Sequence, residues 1–247
     1  MSIEATIADA AALIAAEPAP VFFLDTCALL DILEVPLAEK SKRKRIHSTL
    51  ITAARQALEA SGDHPRRLWF VVQRIVYREY EKGCDGIETN LKQHLKALEN
   101  QLIPIRAALE AFPELPRGGM PRSDLAAELP GALRNLADGI VDSAVLLAND
   151  GACMSRGWRR SDEGRAPAKR GDASRNDCDI IEHVLALSHE LQARGVTDRR
   201  FFISSDADDY RMKGVADVDP SLVSDFEAAG LEYVQNLAQA WELFDHR

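Results

Sequence analysis

Short apolar runs of strand composition alternate along this chain with stretches of helical periodicity, and that alternation narrows the fold more than any other feature. Val21–Leu24 (VFFL), Leu68–Val72 (LWFVV), Phe201–Ser204 (FFIS) and the run at Glu232–Val234 each neighbour a helical pattern. Strands interleaved with helices build a parallel sheet with helices on its faces. The expected class is therefore α/β, with a central parallel sheet in three layers. At 247 residues the chain is long for one average domain and short for two. We expect a single unit over 1–247 that carries a large insertion.

The first run leads directly into Asp25-Thr26 and CALLDIL, where Asp or Thr can cap a helix that starts at once. The second leads into QRIVYREYEKG, a helix expected to stop at Gly83. The stretch from there to Asp177 is too long for a simple crossover. Helical patterns at Gly86–Phe112 and Ser123–Asn149, parted by the breaker-rich FPELPRGGMPR, predict an antiparallel helical hairpin, and 84–150 reads as a helical insertion. From Gly151 to Arg175 apolar periodicity is lost among Gly, Ser and Arg residues, which predicts a mobile basic surface loop over 151–175. A second basic run, KSKRKR at Lys40–Arg45, reads as a solvated surface segment.

Composition removes several classes. No stretch approaches the roughly 20 apolar residues of a membrane span. The N-terminal MSIEATIADAAALIAAEP carries acids where a signal peptide is basic, and its apolar residues recur at helical spacing. A short helix and a cytoplasmic location are expected. Cys27, Cys84, Cys153 and Cys178 lack paired spacing, which argues against a zinc site and a secreted disulfide framework. The histidines lack ligand spacing, and His183 and His189 read as packing or surface residues. A net charge of -9 excludes a general nucleic-acid coat, so any such role must use local basic patches.

In an open α/β sheet, ligands bind beyond the carboxyl ends of the strands. Asp25 and Asp206 follow strand runs, Asp177 and Asp179 open the helix NDCDIIEHVLAL, and Glu79 lies two turns into the helix after the second strand. Each alone can be a cap or a surface acid. Together, carboxylates converging on one sheet edge repel and raise one another's pKa unless a cation compensates. Mg²⁺ or Mn²⁺ is the natural choice for oxygen donors.

FLDTCALLDIL, EYEKG, NDCDIIEHVL and FFISSDADDY resemble, in order, the four acidic motifs of PIN-domain ribonucleases. The resemblance covers about the first and last thirds of the chain. It carries the family's metal-binding and catalytic acids to Asp25, Glu79, Asp177 and Asp206, with Asp179 competing for the third place and Asp209 matching a further aspartate. It implies a PIN-like fold and an Mg²⁺- or Mn²⁺-dependent endoribonuclease that leaves a 5′-phosphate and a 3′-hydroxyl. The setting implied is a toxin–antitoxin pair, with an antitoxin or other protein partner, or RNA processing or defence; a homodimer is open. Ser204 and Thr26 are expected to orient the acids or a phosphate. Arg159, Arg160, Lys169 and Arg170 are the expected RNA contacts, because 151–175 is rich in positive charge and has Trp158 to stack on a base.

Three rivals remain. A haloacid-dehalogenase-like phosphatase also places Asp after its first strand, but it needs a second Asp where Cys27 stands. The others are a structure-specific DNA nuclease and a non-catalytic scaffold or partner-binding module whose carboxylates only cap helices.

Overall fold

The computed structural model describes residues 3–37, 49–111, 124–168, 174–211 and 218–245. KSKRKR, the breaker-rich segment between the two helical patterns, Lys169 and Arg170 lie outside the described residues. Six strands form one parallel sheet in the order β1-β4-β3-β2-β5-β6. They are β1 (Ile3–Ala5), β2 (Val21–Leu24), β3 (Trp69–Gln73), β4 (Val145–Leu147), β5 (Arg200–Ile203) and β6 (Leu231–Val234). Every residue of β2, β3 and β5 is buried. Parallel strands covered on both faces need such uninterrupted apolar runs, and VFFL, WFVV and FFI supply them.

On one side of the sheet α2 (Thr26–Glu34) packs against α4 (Arg74–Glu110) and α5 (Leu125–Ser143), while α3 (Thr49–Gly62) packs against α5 and α10 (Leu237–Asp245). On the other, α7 (Arg175–Ala193) contacts α1 (Ile7–Ala16), α6 (Gly151–Asp162) and α9 (Pro220–Ala229). The single turn α8 (Ala207–Tyr210) follows β5. No helix among the described residues is long and apolar enough to cross a membrane.

From β2 the chain steps to β3 and β4 on one side, then returns to β5 and β6 on the other. The β2/β5 border is thus the topological switch point, where connections leave in opposite directions and open a crevice at the carboxyl ends.

Three expectations need correction. The helix after β3 passes Gly83 and runs to Glu110; its Gly83 packs against the Leu30 side chain, a close approach that favours a residue without Cβ. The stretch 84–150 is only partly an insertion, because Val145–Leu147 joins the sheet between β1 and β3. Three apolar residues directly after a helix carry no period that separates strand from helix. The stretch 151–175 is not a loop throughout, since Gly151–Asp162 forms α6, capped by Asp150 through the Cys153 N–H at 2.8 Å.

Candidate functional site

Leu24 lies opposite Ile203 in the β2–β5 ladder, so Asp25 and Ser204 leave the two strands side by side. Asp25 then caps α2, its Oδ1 accepting the Thr26 N–H at 2.7 Å. Its Oδ2 accepts from the Ser204 hydroxyl at 2.6 Å and from the Cys27 thiol at 3.3 Å. Burial raises the Asp25 pKa, those three donors pull it back, and Glu79 adds repulsion. Ser204 Oγ also accepts the Asp206 N–H at 3.2 Å, while Cys27 Sγ accepts the Ser205 N–H at 3.1 Å. Burial holds the Cys27 thiol well above its usual range. Cys27 therefore serves as a neutral clasp between the ends of β2 and β5.

Glu79 arrives from the second turn of α4. Its Oε2 accepts from the Thr26 hydroxyl at 2.8 Å and its Oε1 from the Asn176 amide at 2.6 Å. The cap of α2 is thus Asp25 rather than Thr26, whose hydroxyl is turned to Glu79. Asp177, in the first turn of α7, is pushed up to about 8 by burial, then by Asp25, Asp209, Glu79 and Asp206. Four separate elements therefore bring their acids into one electrostatic neighbourhood.

Asp179 belongs elsewhere. It is buried against Gly157 of α6, and burial raises it to about 6, with Arg175 lowering and Glu182 raising it. No charge from the other four acids acts on it appreciably. Asp177 is the one that faces the cluster. Two positions apart on a helix, the two side chains point about 200° apart, so only one can. Asp206 is partly exposed and Asp209 is buried, so the cluster descends from a rim into a floor.

Arg160 is not placed to contact a substrate. It is 3% exposed, bonds Glu182 at 2.8 Å, Asp225 at 2.6 Å and the Ala166 carbonyl at 2.9 Å, and ties α6 to α7 and α9. Charge counting along a presumed loop cannot separate two faces of a helix. Arg159, one position away, is exposed on α6, as is Trp158, which has the Arg175 guanidinium 5.3 Å from its ring centroid. His183 is a packing residue: its Nε2 accepts the Asp150 N–H at 2.9 Å.

The donor set around Asp25, Glu79, Asp177 and Asp206 is all carboxylate oxygen, and its mutual repulsion is what a hard divalent cation would relieve. In charge and donor type the residues fit Mg²⁺ or Mn²⁺. Among the described residues, no three His, Cys, Asp or Glu side chains are already grouped to hold an ion. Sequence reasoning passed over Cys27 and Asn176 as site residues, although each lies within two positions of a named acid. It also passed over Tyr210, whose pKa is raised by burial, then by Asp25 and Asp177. No protein-family model, curated protein or solved structure matches the chain.

Proposed function

We propose that this chain is a PIN-like, Mg²⁺- or Mn²⁺-dependent endoribonuclease. The observation that carries the reading is Asp177, held at about 8 in a neighbourhood of Asp25, Asp209, Glu79 and Asp206 beside the sheet's switch point. The four-motif resemblance supplies the reaction class and the choice of RNA. Asp25, Asp177, Asp206 and Glu79 are the residues that would hold the ion. The ion would supply Lewis acidity and a water that ionises near neutral pH.

The rest of the work falls to this chain's own side chains. Ser204, Cys27 and the Thr26 N–H fix both oxygens of Asp25. Thr26 and Asn176 do the same for Glu79. Trp158 and Arg159 on α6, with Arg175 at the start of α7, offer a stacking face and positive charge two residues from Asp177. An RNA-processing, defence or toxin setting is open on this reading.

A second reading has an observation in its favour: Asp25 is satisfied as the cap of α2, as in a non-catalytic scaffold. One experiment separates them. Single-stranded RNA and DNA of one sequence are incubated with wild type and Asp25→Asn, with and without Mn²⁺. Cleavage of RNA only with Mn²⁺, falling roughly 100-fold or more in the variant, is the expected result. Equal cleavage by both proteins overturns the site, cleavage of DNA alone reassigns the substrate, and no cleavage by wild type favours the scaffold.

A further inference from the structure

Tyr210 ends α8 and is fully buried. Its ring meets Phe202 edge-on at 5.1 Å and lies near-parallel to Tyr233 at 6.1 Å between centroids, so packing fixes its plane. Its backbone is tied as well, the carbonyl accepting the Asp219 N–H at 3.1 Å. The hydroxyl nevertheless has no hydrogen-bond partner among the described residues. Leaving such a group unmade costs about 1–3 kcal/mol, a cost that phenylalanine would avoid with the same packing.

Its location gives that hydroxyl a use. The charges acting on it most strongly are those of Asp25 and Asp177. Both oxygens of Asp25 already accept hydrogen bonds. Asp177 differs: burial and the charges of other acids are the largest influences on its carboxylate, and no hydrogen bond to that carboxylate is found among the described residues. A buried donor without an acceptor and a carboxylate without a donor thus share one cluster.

We infer that Tyr210 is a positioning residue of the acidic site, its hydroxyl donating to the Asp177 carboxylate when a divalent cation draws the acids together. This rests on the cation-dependent reading above. The bond selects the Asp177 orientation in which its other oxygen faces Asp25 and Asp206. It also supplies charge-assisted hydrogen bonding that an acid with only acidic neighbours lacks.

The test is calorimetric titration of the full chain with Mn²⁺, comparing wild type, Tyr210→Phe, Asp177→Asn and the double variant, with metal-free melting of each. Tyr210→Phe should weaken Mn²⁺ binding roughly tenfold, the lower end for loss of a partner to a metal ligand. Its metal-free melting temperature should equal or exceed that of wild type, because the ring packing stays and an unpartnered hydroxyl goes. In the Asp177→Asn background the same change should add nothing. Unchanged Mn²⁺ affinity in Tyr210→Phe overturns the inference while leaving the metal site standing. An equal loss in both backgrounds overturns the pairing with Asp177. Wild type that fails to bind Mn²⁺ removes the functional reading, and this inference with it.

Discussion

At Asp177 burial and the neighbouring carboxylates act together against the charged form. Its folded value of about 8 stands far above the ordinary 3.8. Between those values the folded protein retains a proton that the unfolded chain has released, so stability falls as pH rises across that interval and levels off above it. The metal-free protein should therefore melt at a lower temperature at about pH 8 than at about pH 5. Asp177→Asn should flatten that slope and melt above wild type at the higher pH, each pK unit relieved being worth about 1.4 kcal/mol. A variant that melts below wild type there would mean the carboxylate is a helix cap. Asp25 behaves differently, because Thr26, Ser204 and Cys27 all donate to it. An Asn there turns an amide nitrogen toward one set of donors, and thermal melting of Asp25→Asn should show a loss of about 1 kcal/mol.

At the scale of elements, α6 and α7 are in close contact where Gly157 meets Asp179. A Cβ on Gly157 would stand 2.1 Å from Asp179 Oδ1 and 3.0 Å from its Cα and backbone nitrogen. Backbone cannot yield as a flexible side chain does, so Gly157→Ala should cost about 1–3 kcal/mol in chemical denaturation. Arg160 holds the same pair of helices from their polar side, and Arg160→Ala leaves Glu182 and Asp225 without their buried partner. A loss of about 3–5 kcal/mol is expected. Arg159→Ala should change stability by less than about 0.5 kcal/mol. In RNA binding the contrast reverses: Arg159→Ala should weaken affinity and flatten the log-log salt slope by about 0.7. Unchanged RNA affinity and salt slope for Arg159→Ala would remove α6 from the substrate path.

For the whole molecule, sheet order sets where the acids meet. Asp25 follows β2, Asp206 follows β5, Glu79 comes from the helix after β3, and Asp177 opens the helix that returns the chain to β5. Elements so far apart in sequence are coupled only when the protein is folded, so a cation that bridges them binds the native state alone. At a hundred times its Kd, Mn²⁺ should add about 2.7 kcal/mol of stability. In a domain of this length that raises Tm by about 5–10 °C in differential scanning calorimetry. The shift should vanish in Asp25→Asn, and its persistence there would place the ion elsewhere.

The amino-acid sequence by itself determined the α/β class, the strands β2, β3, β5 and β6, and the identity of Asp25, Glu79, Asp177 and Asp206 as acids at or near strand or helix ends. Uninterrupted apolar runs and capping residues are local signals, legible within a few residues. It also narrowed the third acid to two positions. Choosing Asp177 over Asp179 required knowing which face of α7 meets α6, which is a property of packing. The edge strand Ile3–Ala5 and its neighbour Val145–Leu147 carry no legible signal because three residues form a strand only where a partner completes their hydrogen bonds. Gly151–Asp162 reads as a loop because its helix is held by the ion pairs of Arg156 and the buried Arg160 with Glu182 and by a close glycine contact, none of which leaves an apolar period. Tyr210 carried no signal at all: whether a tyrosine is packing or part of a site depends on what its hydroxyl meets, and only the tertiary structure decides that.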